Sequence, residues 1–136
     1  MMTLDEACAF LNGYYVYVRG VGEYDHEENG VWEFTVSTYF DTDWARHKED
    51  VVLSDGELQG VRVYSVMDGK EYDRLIPFDG AEHTMRYHED VGKGHWWNIY
   101  DIEYTICFVS KDAVAGNAQI KSTADAEDKR IMLKYC

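Results

Sequence analysis

A chain of 136 residues, 46% hydrophobic and 29% charged, is long enough to bury a core as one globular domain without disulfide or metal support. Its formal net charge of −13 makes the phosphate term of direct contact with DNA, RNA or an anionic membrane repulsive, which argues against those partners and for a basic protein partner or simply high solubility. The three cysteines, Cys8, Cys107 and Cys136, are odd in number and widely spaced, as in a reducing, cytoplasmic setting.

The opening MMTLDEACAF lacks the basic-then-apolar order of a secretory leader. Thr3-Leu4-Asp5-Glu6 instead reads as a capping box. Leu4, Ala7, Cys8 and Leu11 follow at helical spacing, and Asn12-Gly13 supplies the stop, which predicts a short amphipathic helix. Tyr14–Arg19 reads as a strand, Val21–Gly30 as a polar loop, and Val31–Phe40 as a strand with Trp32, Phe34, Val36, Thr38 and Phe40 on one face. The two strands are expected to form a hairpin with a long acidic tip. Asp41–Asp50 predicts a helical turn or two capped by Asp41 or Thr42.

Three Asp-Gly pairs, at 55–56, 68–69 and 79–80, supply the positive φ angles of tight hairpin turns. They divide the strand segments Val51–Leu53, Leu58–Met67, Glu71–Phe78 and Glu82–His88 into a meander, and the single Pro77 ends a strand or lies on a sheet edge. After a Gly-containing loop over Glu89–Gly94 comes the longest aromatic and apolar run, His95–Val109. Its even positions are mostly apolar, while Asp101, Glu103 and Thr105 alternate between them. That period marks a long strand with one dry and one wet face, the spine of the sheet, which at this length must bend or serve two sets of neighbours. Lys111–Asp128 holds a short helix or a mobile loop, and Arg130–Tyr135 reads as a last strand. The expected fold is a single α+β domain over 1–136: a twisted, mostly antiparallel β-sheet of about six or seven strands, meander-rich, with a short N-terminal helix.

No standard catalytic or cofactor motif is present. Gly20-Val21-Gly22 lacks the third glycine of a dinucleotide loop, and Gly69-Lys70 lacks both flanks of a phosphate loop. There is no Gly-x-Ser-x-Gly elbow, Cys-x-x-Cys or His-Glu-x-x-His. Asp25–Gly30 resembles the first half of a calcium loop, but Val36 stands where the bidentate glutamate belongs, so a solvated hairpin tip is the better reading. His83, His88 and His95 have no metal-ligand spacing. Asp101 and Glu103 stand about 7 Å apart on one strand face, which suits the wet side of a strand better than an acid–base pair without a nucleophile. Trp96 and Trp97 are adjacent in a strand, so one sheet face cannot bury both. No enzyme activity, cofactor or metal is therefore expected.

The charge is uneven. Between Glu23 and Glu57 eleven acids are opposed only by Arg46 and Lys48, which places nine of the thirteen net negative charges in one quarter of the chain. The residues expected to meet a partner are Glu23, Asp25, Glu27 and Glu28 in the hairpin tip, then Asp41, Asp43, Glu49 and Asp50, with Trp44 as an aromatic anchor. In size and acidity the chain resembles the small inhibitors of CRISPR and restriction enzymes from phages and mobile elements, and the immunity proteins of nuclease toxins, although no motif assigns it to either. That resemblance implies a cytoplasmic inhibitor whose carboxylates occupy the basic nucleic-acid-binding surface of a target enzyme. Two other classes are open: a small-molecule binder or enzyme with a sheet pocket lined by Trp97, Tyr100, Tyr104 and histidines, and an assembly subunit that buries its aromatics against a copy of itself.

Overall fold

A computed structural model of the chain describes residues 1–26, 30–67, 70–90 and 97–122. The capping box forms reciprocally: the Glu6 N–H donates to Thr3 Oγ1 at 3.2 Å, and the Thr3 N–H donates to Glu6 Oε1 at 3.0 Å. That second bond holds the Glu6 carboxyl below its ordinary range. Helix α1 (Leu4–Leu11) follows, is closed by Asn12, and buries the stripe Ala7, Cys8 and Leu11.

Eight strands follow among the described residues: β1 (Tyr14–His26), β2 (Gly30–Asp41), β3 (Val51–Ser54), β4 (Glu57–Met67), β5 (Lys70–Pro77), β6 (His83–Asp90), β7 (Trp97–Ser110) and β8 (Ile120–Ser122). The α+β class and the antiparallel pairing agree with the sequence, but the strands divide into two sheets, ordered β6-β7-β1-β2-β8 and β3-β4-β5. Among the described residues only the short β8, beside Tyr39–Asp41 of β2, pairs in parallel. The spine strand β7 does serve two sets of neighbours, β1 along nearly its whole length and β6 over Ile99–Ile106, with a register shift at Asp25/His26.

The polar segment after Val21 is strand rather than loop as far as His26. It is hydrogen-bonded to β2 on one side and β7 on the other, and two ladders outweigh the poor strand propensity of Glu23 and Asp25. The first Asp-Gly pair makes the expected turn, with φ of 53° at Asp55 and 74° at Gly56 between β3 and β4. The second falls outside the described residues, although β4 and β5 pair up to Met67 and Lys70 on either side of it. The third makes no hairpin, because β5 and β6 belong to different sheets. There Asp79 Oδ1 closes a local turn by accepting from the Ala81 N–H at 3.0 Å. Gly60, buried in β4 with φ of 153°, is required by packing: a Cβ would collide with the Ile76 carbonyl.

The segment after β2 forms two 3₁₀ turns, Trp44–Arg46 and Lys48–Asp50. The first is capped by Asp43 rather than Asp41 or Thr42: Asp43 Oδ1 accepts from the Ala45 N–H at 3.2 Å. One core unites α1, both sheets and the first of these turns: Val16, Val18, Phe40, Tyr104 and Ile106 from the larger sheet meet Val51, Val61 and Ile76 from the smaller, with Trp44 among them. The segments 91–96 and 123–136, and with them Trp96, the Glu89–Gly94 loop beyond Asp90 and the expected strand Arg130–Tyr135, lie outside the described residues. No helix among the described residues is long and apolar enough to cross a membrane.

Candidate interaction face

Strand alternation gives the larger sheet one covered and one open face. Val16, Val18, Thr38, Phe40, Tyr104 and Ile106 are buried on the covered side. Between them stand Arg19, Val21, Glu23, Glu33, Thr35, Ser37 and Glu103, all exposed. Even apolar residues on this side face water, Val21 at 43% and Val31 at 58% exposure.

The register then brings together acids that are far apart in the chain. Glu23 of β1 stands directly opposite Glu33 of β2 and, on its other side, opposite Asp101 of β7. One row along, Val21 stands opposite Thr35 and Glu103; on the other side, Asp25 stands opposite Val31 and Ile99. These nine positions on three adjacent strands therefore hold five acids and no lysine or arginine. The nearest cations in the sheet are outside them: Arg86 opposite Glu103 on β6, and Arg19 farther along β1. Like charges directly opposite one another weaken a sheet, so a cross-strand pair such as Glu23–Glu33 is a local cost to the fold.

The second acidic segment lies elsewhere. Asp41, the last residue of β2, is eight residues from Glu33 on the same strand, about 26 Å at ~3.3 Å per residue. Its Oδ1 accepts from Lys111 Nζ at 2.8 Å. Asp43 is spent on the 3₁₀ cap. Glu49 is exposed and 3.9 Å from His47 Nδ1, and Asp50 is half-buried beside it. Lys48 turns back onto Asp5 of α1 at 2.7 Å, a contact that raises the Lys48 pKa. Trp44 is only 1% exposed, and its backbone N–H donates to Asn12 Oδ1 at 2.9 Å, so this ring is a core element and not an exposed anchor. The structure thus joins Glu23 and the strand position of Asp25 to Glu33, Asp101 and Glu103, and separates them from the acids of 41–50. Glu27 and Glu28, between β1 and β2 in the chain, lie outside the described residues.

Beside the acids, toward the other end of the same face, lies a group of tyrosines that the sequence did not single out. Tyr17 and Tyr39 stand opposite each other with ring centroids 4.7 Å apart, and Tyr15 packs edgewise on Tyr39 at 6.1 Å. The signal available was their parity: Tyr15 and Tyr17 share the odd positions of β1 with Glu23, and Tyr39 those of β2 with Glu33.

Other chemistry is sparse among the described residues. One group has a cation-binding donor set, His47, Glu49 and Asp50, whose ligand atoms lie within 4.8 Å of one another. The half-buried Cys107 thiol is pushed up by burial, with the charge of Glu82 adding to the shift, which disfavours the thiolate a nucleophile needs. His83 Nε2 lies 2.9 Å from Asp79 Oδ1, which holds that carboxyl below its ordinary range. A cavity of about 390 Å³ opens between β5 and β6, lined by Arg74, Leu75, Ile76, Pro77, His83, Thr84 and Ile106. Of the residues expected to line a pocket only His83 is there, and the described lining holds no Phe, Tyr or Trp. No family model, no curated protein and no solved structure matches the chain.

Proposed function

We propose that this protein is an acidic inhibitor that binds a basic protein, a nuclease or other nucleic-acid-binding enzyme, on the surface that otherwise holds nucleic acid. The observation that carries this reading is the row Glu33, Glu23 and Asp101, set side by side by register, with Asp25 and Glu103 at neighbouring positions of the same three strands. Three strands spaced ~4.8 Å apart and a span of four residues make the patch about 10 by 13 Å. A 13 Å length of duplex carries about eight phosphate charges, of which roughly half face any one side. The patch therefore offers a similar charge density on a hydrogen-bonded support. Acids so arranged steer a basic partner, speed association and release the ions bound to its groove, as a nucleic acid does.

The test uses immobilised protein and a nuclease-treated lysate of the organism that encodes it or of that organism's host, loaded at low salt and eluted by a salt step. Each eluted protein is then assayed for duplex binding by mobility shift, with and without the acidic protein. The expected result is a captured enzyme whose nucleic-acid binding is competed by the wild-type chain and not by a Glu23→Gln/Glu33→Gln/Asp101→Asn variant. Captured proteins that keep their nucleic acid in the presence of the chain would overturn the proposal.

A further inference from the structure

The geometry points to arginine as the cation this face selects in its partner, with Tyr17 and Tyr39 as the surface on which a guanidinium stacks. This inference rests on the reading of the face as a binding surface for a basic protein and adds what that partner must present. The solvent side of an amphipathic strand is normally polar, yet three half-buried tyrosines cluster on this one. The chain itself shows how a cation is held there. Lys111 Nζ sits 5.3 Å from the Tyr15 ring centroid and 2.8 Å from Asp41 Oδ1, so one ring face and one carboxylate together seat a positive charge.

Lys111 is placed over Tyr15, whereas the Tyr17–Tyr39 pair beside it is the part of the cluster farther along β1 toward Glu23. An ammonium is a compact, strongly hydrated charge, and the one seated over Tyr15 has the Asp41 carboxylate beside it. A guanidinium is planar and weakly hydrated, and stacks on aromatic faces while keeping its N–H groups for hydrogen bonds. Tyr17 and Glu23 are six residues apart on β1, about 20 Å at ~3.3 Å per residue, so different side chains of one partner meet the two regions. The acids attract any cation; the rings discriminate among cations.

The experiment compares fluorescein-labelled nona-arginine and nona-lysine by anisotropy against the folded protein, at low salt. Either peptide, extended to about 30 Å, spans both regions. The wild-type protein is expected to bind nona-arginine about fivefold more tightly, the factor that one exposed cation–π contact supplies. Tyr17→Leu/Tyr39→Leu is expected to remove that preference without weakening nona-lysine, and Tyr17→Phe/Tyr39→Phe to keep it. If the leucine pair fails to fold by circular dichroism, Tyr39→Leu alone decides by the same criterion. Equal affinity of the wild type for the two peptides, or a preference that survives the leucine substitutions, would overturn the inference and leave the acidic reading standing. If neither peptide binds, or if Glu23→Gln/Glu33→Gln leaves both affinities unchanged, the acidic reading falls and the inference with it.

Discussion

Neutralising Glu23 should make the protein more stable, because the acidic row holds like charges together. Glu23 has an acid at the register position on each side, Glu33 and Asp101, whereas Glu33 has Glu23 on its β1 side. Directly opposed residues place their Cβ atoms about 5 Å apart, and two unit charges at that separation repel by about 0.8 kcal/mol in water. Screening at 0.15 M salt reduces the term to about 0.4 kcal/mol, and 1 M salt to below about 0.2 kcal/mol. Carboxylates that splay apart lower these figures, so they are upper bounds for one pair. Glu33→Gln and Glu23→Gln each relieve the pair the two residues share, giving a gain of about 0.4 kcal/mol at 0.15 M salt. The double variant should gain no more than Glu23→Gln alone, since the pair the two residues share is removed only once. Urea unfolding of the four proteins at 0.05, 0.15 and 1 M salt measures this directly. Gln variants that are no more stable than the wild type at low salt, or whose gain survives undiminished at 1 M, would refute the electrostatic account of the row.

Other substitutions separate structure from binding. Trp44→Ala empties a fully buried indole site and should cost about 3–5 kcal/mol in urea unfolding, while Trp44→Phe, if it folds, should retain partner binding because the ring is core. Gly60→Ala forces a side chain against the Ile76 carbonyl at a φ that favours glycine, and should cost on the order of 3 kcal/mol or abolish the folded signal in circular dichroism. Asp79, whose pKa is lowered chiefly by its bond to His83, stabilises the fold at pH above its unfolded value of about 4, and that contribution is lost as pH falls through the depressed native value. Asp79→Asn should therefore lower the melting temperature at pH 6 and make no difference by about pH 2; a difference that persists in acid would contradict the assignment.

The elements whose signals are local were legible in the sequence. The capping box, the helix stop at Asn12, the Asp55-Gly56 turn, the spine strand and Pro77 at the end of an edge strand all follow from residues within a few positions of one another. What failed depended on partners far along the chain. Glu23 and Asp25 read as loop by propensity, and became strand because β2 and β7 supply a ladder on each side. The third Asp-Gly pair has the chemistry of a hairpin turn, but the strands it joins go to different sheets. Trp44 sits in a polar segment and gives no periodic sign of burial, since its burial comes from α1 and a bond to Asn12. The acidic bias of the chain was visible as a charge sum over residues 23–57. Its true focus was not, because register rather than sequence distance sets Glu33, Glu23 and Asp101 side by side.

That difference matters for binding energetics. Carboxylates on a mobile loop must be ordered when a partner arrives, at a cost of about 0.5–1.5 kcal/mol for each flexible side chain and more for the backbone. Here the backbone cost was met in folding: β1 is hydrogen-bonded on both sides through Glu23, and its own residues Val16 and Val18 are anchored in the core. The remaining penalty is the mutual repulsion of the row, which the proposed basic partner would relieve on binding. Repulsion released on association adds to affinity, whereas the entropy of ordering a loop subtracts from it. A rigid sheet whose acids are held against their own repulsion is thus a better competitor for a phosphate-binding groove than the same charges on a flexible tip. The stability gained by Glu23→Gln and the affinity it loses should accordingly fade together as salt is raised.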